Sequence, residues 1–158
     1  MKKINAWILV ITVLVVCAQT KKSAAAAPDV DIWNAAARGN IEAIKQHLEA
    51  GTDVDAKEPP GGGTPLLVAA TFGRIEAAKF LIEKGANVNA TSNDGATALH
   101  AAAFFCHTEI VKLLLGEGAV VDAKNIRGET SLDAVAGDWN QELEGIYKWL
   151  AELWKLQL

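Results

Sequence analysis

The feature that most limits how this chain can fold is a spacing. Thr-x-Leu occurs at Thr64/Leu66, Thr97/Leu99 and Thr130/Leu132, two steps of 33 residues. The glycine before each long loop recurs at nearly the same interval, as Gly51, Gly85 and Gly118. A fixed period of this size marks small units that cannot bury an apolar face alone and therefore stack on one another. The best-formed copy is Ala96 to Gly128, ATALHAAAFFCHTEIVKLLLGEGAVVDAKNIRG.

In that copy Thr97 is placed to cap a short helix, about 97–105, whose small residues Ala98, Ala101, Ala102 and Ala103 let another helix approach closely. After a break, Ile110, Val111, Leu113, Leu114 and Leu115 fall at helical spacing and predict a second helix, about 108–117, ended by the glycines Gly116 and Gly118. Residues 120–125 have extended character, and Asp94-Gly95 and Arg127-Gly128 supply the glycine of a tight reversal. A unit is thus helix, turn, helix, hairpin-like loop. The loop is one residue longer between copies one and two, where Asp55 to Thr64 is nine residues against eight for Asn89 to Thr97 and Asp122 to Thr130. The extra residue lies in Glu58-Pro59-Pro60-Gly61-Gly62-Gly63. That loop has no Lys-Ser/Thr pair after it, and Thr64-Pro65 reads as a helix cap rather than a phosphate cradle.

This pattern resembles the ankyrin repeat. Its Thr-Pro-Leu-His and x-Ala-Ala elements are spread over Thr64-Pro65-Leu66-Leu67-Val68-Ala69-Ala70, Thr97-Ala98-Leu99-His100-Ala101-Ala102-Ala103 and Thr130-Ser131-Leu132-Asp133. The second-helix signature recurs from Phe80 to Asn89 and from Val111 to Ala119. The resemblance covers residues 29–158 and implies an all-α, ankyrin-type helix-turn-helix repeat solenoid with hairpin-like loops. About four repeats are expected, near 29–62, 63–95, 96–128 and 129–158, with atypical end caps. Copy one begins Val30-Asp31-Ile32-Trp33, and Trp33 is expected to close the core. Copy four has two residues inserted around 137–144. Its helix, about 141–156, carries Leu143, Ile146, Tyr147, Leu150, Leu153 and Trp154 on one face. It is expected as a lengthened cap or, with Trp149, Leu156 and Leu158, as a docking surface for a partner or a second copy.

Residues 1–28 read as an address. Lys2 and Lys3 precede the mostly apolar run from Ile4 to Ala18, and small residues follow at 24–27. That run is about 22 Å long as a helix, short of the roughly 30 Å hydrocarbon core. A cleaved secretory signal is expected, with an uncleaved anchor or lipidation at Cys17 as alternatives, and hence export to the periplasm, cell envelope or exterior. Beyond it the chain holds 11 basic and 19 acidic residues and no basic cluster, which argues against nucleic acid.

Little chemistry is visible. The histidines His47, His100 and His107 fall one per unit, without metal-ligand spacing. His100, three residues after Thr97, fits a capping box, as does Asp133 after Thr130. Leu67 lacks that function, so its cap should be weaker. Cys106 takes the turn position held by Gly39 and Gly73 and is expected to be an unpaired, partly buried thiol. No catalytic residue, metal or cofactor is expected. The expected function is that of a non-enzymatic, monomeric module that binds an unidentified partner protein on a concave surface. By family geometry its contacts are Lys57, Glu58, Asn93, Asp94, Ile126 and Arg127 on the loops, with Phe72, Phe104 and Phe105 late in the first helices. Phe72 and Phe105 could instead be core residues, being apolar in both copies. The rival classes are a redox or metal accessory using Cys106 and His107, and an oligomerising structural protein using the C-terminal helix.

Overall fold

The computed structural model describes residues 30–133. The N-terminal segment and the C-terminal helix of the sequence reading lie outside them. Among the described residues six helices follow in chain order: α1 Ile32–Arg38, α2 Ile41–Glu49, α3 Pro65–Thr71, α4 Ile75–Glu83, α5 Ala98–Phe104 and α6 Thr108–Gly116. At seven and nine residues each is too short to persist alone in water, so packing has to hold them. The first helices α1, α3 and α5 form one row and the second helices α2, α4 and α6 another. Among the described residues the architecture is an all-α stack, with no regular strand and one isolated bridge between Thr91 and Thr97. None of these helices is long and apolar enough to cross a membrane.

The starts are set locally. Asp31 Oδ1 accepts the Asn34 N–H at 2.7 Å, Asn40 Oδ1 accepts that of Ala43 at 3.1 Å, and Thr64 Oγ1 accepts that of Leu67 at 3.3 Å. Pro65 takes the first turn of α3, where its missing N–H costs nothing. Between rows lies the core. Leu66, Leu81, Leu114, Ile44 and Ile110 are fully buried, and alanines such as Ala35, Ala69 and Ala102 let the first helices approach closely. Each such Leu or Ile stabilises the fold by roughly 1.5–3 kcal/mol. Trp33 is not the core-closing residue expected. Ile32 is buried in its place, while Trp33 is only partly buried, with its indole N–H donated to the Ala56 carbonyl at 3.0 Å.

Neighbouring units are fastened by the same three kinds of bond. At the loop tips the Asn93 N–H donates to Gly61 O at 3.1 Å, and one unit on the Ile126 N–H donates to Asp94 O at 2.9 Å. At the ends of the second helices, Asp55 accepts the Asn87 N–H at 3.1 and 3.2 Å, and Asn89 Oδ1 accepts that of Val120 at 2.8 Å. At the turn between helices, Arg74 Nε donates to Ala37 O at 2.8 Å, and His107 Nε2 lies 3.1 Å from Thr71 O. The last pair sets polar groups against carbonyls at the C-terminal ends of α1 and α3, where helix dipoles favour donors.

The longer first loop is accommodated without breaking this pattern. Loops two and three close with three-residue steps, Gly95 N–H to Ser92 O and Gly128 N–H to Asn125 O, whereas loop one closes with a four-residue step, Gly62 N–H to Glu58 O. Gly62 is required there: at φ +71 a Cβ would lie 2.2 Å from Asn93 Oδ1.

Candidate functional site

The loops and the first helices together make one face, and two grooves run along it. The first, about 500 Å³, lies between α1, α3 and the first two loops; Trp33, Leu67, Val68 and Phe72 give its apolar wall and Glu58 and Asp94 its charge. The second, about 400 Å³, lies over α5 between the second and third loops, with Phe104, Phe105, Asp94, Arg127, Glu129 and Asp133. Asp94 is shared by both.

The three phenylalanines are on this face and in solvent. Phe72 is 54% exposed, Phe104 60% and Phe105 49%, so the core alternative for Phe72 and Phe105 does not hold. Each sits at or just past the C-terminus of a first helix, where the helix turns away from the core. Phe104 and Phe105 meet edge to face with centroids 5.0 Å apart.

The loop residues divide. Glu58 and Asp94 line grooves, as does Arg127, whose guanidinium is 4.0 Å from Glu129. Lys57 and Asn93 are exposed but also fasten loops, through Lys57 Nζ to Thr91 O at 2.9 Å and Asn93 Nδ2 to Pro60 O at 2.6 Å. Ile126 is 76% exposed and lines neither groove. Asp94 is held below the usual carboxylate range, chiefly by the Ser92 hydroxyl that donates to it, with help from the Ala96 N–H and the Arg127 charge. It stays ionised in the groove.

His100 performs the structural role expected of it. Nδ1 accepts the Thr97 N–H at 3.2 Å and lies 2.9 Å from Thr97 Oγ1, which fixes the proton on Nε2, 3.2 Å from Glu129 O. Asp133 Oδ2 likewise takes the Thr130 N–H and hydroxyl, both at 2.8 Å. Cys106 departs from expectation. It is exposed rather than partly buried, and its backbone takes φ +57, the left-handed form that Gly39 and Gly73 supply in the earlier units. Its neighbour His107 is engaged with Thr71 O through Nε2 and stacks beside Phe105 at 6.2 Å.

Sequence reasoning missed Trp33 as a groove residue, and its only signal was its place one residue after the buried Ile32. Residues 32–125, more than half the chain, match the family described as Ankyrin repeats (3 copies). This chain belongs to the ankyrin repeat family. It is 35% identical over 69 residues to the human DNA-binding protein RFXANK, covering 44% of this chain and 26% of that one. It is 37% identical over 57 residues to human protein phosphatase 1 regulatory subunit 27, covering 36% of each. An ankyrin repeat-containing protein of Schizosaccharomyces pombe is 33% identical over 67 residues, 42% of this chain and 32% of that protein. The chain thus spans about a third or less of the length of these relatives. Ankyrin repeats are modules of protein–protein interaction, and the exposed face described above belongs to such a module.

Proposed function

We propose that this chain is an exported, non-enzymatic binding module that grips a partner protein along the loop-and-first-helix face. The observation that carries the reading is the row of exposed aromatic residues, Phe72, Phe104 and Phe105, opening onto two adjoining grooves. Solvent-exposed aromatics gathered on one rigid face cost free energy in isolation and contribute most where a partner covers them. Export is supported by Lys2, Lys3 and the apolar run to Ala18. The acidic balance and the absence of any basic cluster in the sequence favour a protein over nucleic acid as partner.

The test is affinity capture from envelope extract of the host, comparing the natural chain with a Phe104→Ala/Arg127→Glu variant of unchanged far-UV circular dichroism. A protein retained by the first and lost by the second is the expected result. Equal retention by both would move the binding surface elsewhere. Cell fractionation tests export, and accumulation in the cytoplasm would refute it.

A further inference from the structure

We propose that the first groove receives an arginine side chain from an extended, basic segment of the partner protein. The proposal rests on the face being protein-binding and adds the chemistry of what it binds. The groove has an aromatic wall, Trp33 and Phe72, and the charged residues lining it, Glu58 and Asp94, are both acids. Among the described residues Glu58 forms no ion pair. The adjacent base, Lys57, is bonded instead to the Thr91 carbonyl and does not line the groove. Trp33 is held in place by its bond to Ala56 O, so the wall is pre-formed. A cation beside an aromatic face and between two carboxylates is attracted by both. Arginine suits the site better than lysine, because its planar guanidinium stacks on a ring and bonds a carboxylate through two N–H groups at once.

The second groove repeats the theme, with Phe104 and Phe105 beside Asp94, Glu129 and Asp133 against the single base Arg127. The second groove is the first displaced by one unit, with Phe105 standing where Phe72 stands, so one step along the row of first helices separates the grooves by about 8–10 Å. An extended segment rises about 3.3 Å per residue. Two basic residues about two or three positions apart on one strand would therefore reach both grooves.

A random peptide library, displayed on phage in segments of about twelve residues (about 40 Å extended), is panned on the full chain and on Glu58→Gln and Phe72→Ala variants. The expected result is enrichment of peptides with arginine at two positions two or three apart. By fluorescence anisotropy a selected peptide should bind the Glu58→Gln variant at least about fivefold more weakly. It should also weaken between about 50 mM and 500 mM salt as screening shortens from roughly 14 to 4 Å. Enrichment of sequences free of arginine and lysine, lost on Phe72→Ala, would overturn this assignment and leave the protein-binding face standing. Enrichment of nothing by the natural chain would overturn both.

Discussion

Cys106 carries the clearest residue-level strain. It holds φ +57 where two sister turns use glycine, and the left-handed region costs a residue with a Cβ about 1–2 kcal/mol. Cys106→Gly should stabilise the protein by up to about 1 kcal/mol, the relief being partly offset by the greater freedom of glycine in the unfolded chain. Urea unfolding reads this directly, and a lower midpoint for the variant would show that the thiol makes contacts that compensate. His100 is the opposite case, a residue whose every ring nitrogen is engaged and which is 5% exposed. His100→Ala leaves the Thr97 N–H without its acceptor and removes the link to Glu129 O, a loss of about 1–3 kcal/mol in the same assay. A midpoint within error of the natural chain would mean that water replaces both bonds. The equivalent position in the preceding unit is Leu67, where Thr64 Oγ1 still accepts its N–H but no side chain answers back.

At the level of elements, helices were legible and fastenings were not. Thr97 and the apolar spacing of Ile110, Val111 and Leu114 act within one or two turns, so local pattern suffices to place α5 and α6 to within a residue or two. Arg74, His107, Asp55 and Asn89 act on backbone groups 31 to 37 residues away. No local pattern signals that, and Asp55 and Asn89 show in the sequence only as rulers of loop length. The loops offer a paired test. Gly62→Ala meets both a positive φ and the Asn93 side chain and should lose about 1–3 kcal/mol, whereas a Cβ on Gly61 meets nothing within 4 Å and should be tolerated. Thermal melts of the two variants should separate; coincident melts would show that the first two loops are not stacked tip to tip as described.

For the molecule as a whole, the grooved face was half legible. Phe72 and Phe105 share one place in their units, with Phe104 beside the latter, and drew notice, while Trp33 sat in an atypical first copy where an aromatic reads as core. Acid should loosen the stack at both its described ends and in its middle. The carboxyls of Asp31, Asp94 and Asp133 are all held low, by the Asn34 N–H and amide, by the Ser92 hydroxyl, and by the Thr130 N–H and hydroxyl respectively. A carboxylate lowered in the folded state contributes stability above its unfolded pKa and loses that contribution as pH falls through the folded value. Stability from these groups should hold from neutrality to about pH 5 and decline below about pH 4. Urea midpoints at descending pH measure this, and a midpoint that climbed on acidification would reverse the sign. The fastenings between units carry one more consequence. Asp55 and Asn89, like Arg74 and His107, each give to or take from one adjoining unit at closely similar places, so a copied unit spliced into the middle would find partners for these groups on both sides. Such a chain can lengthen or shorten in evolution by whole-unit duplication and deletion, acquiring a new groove with each copy while its interior remains intact.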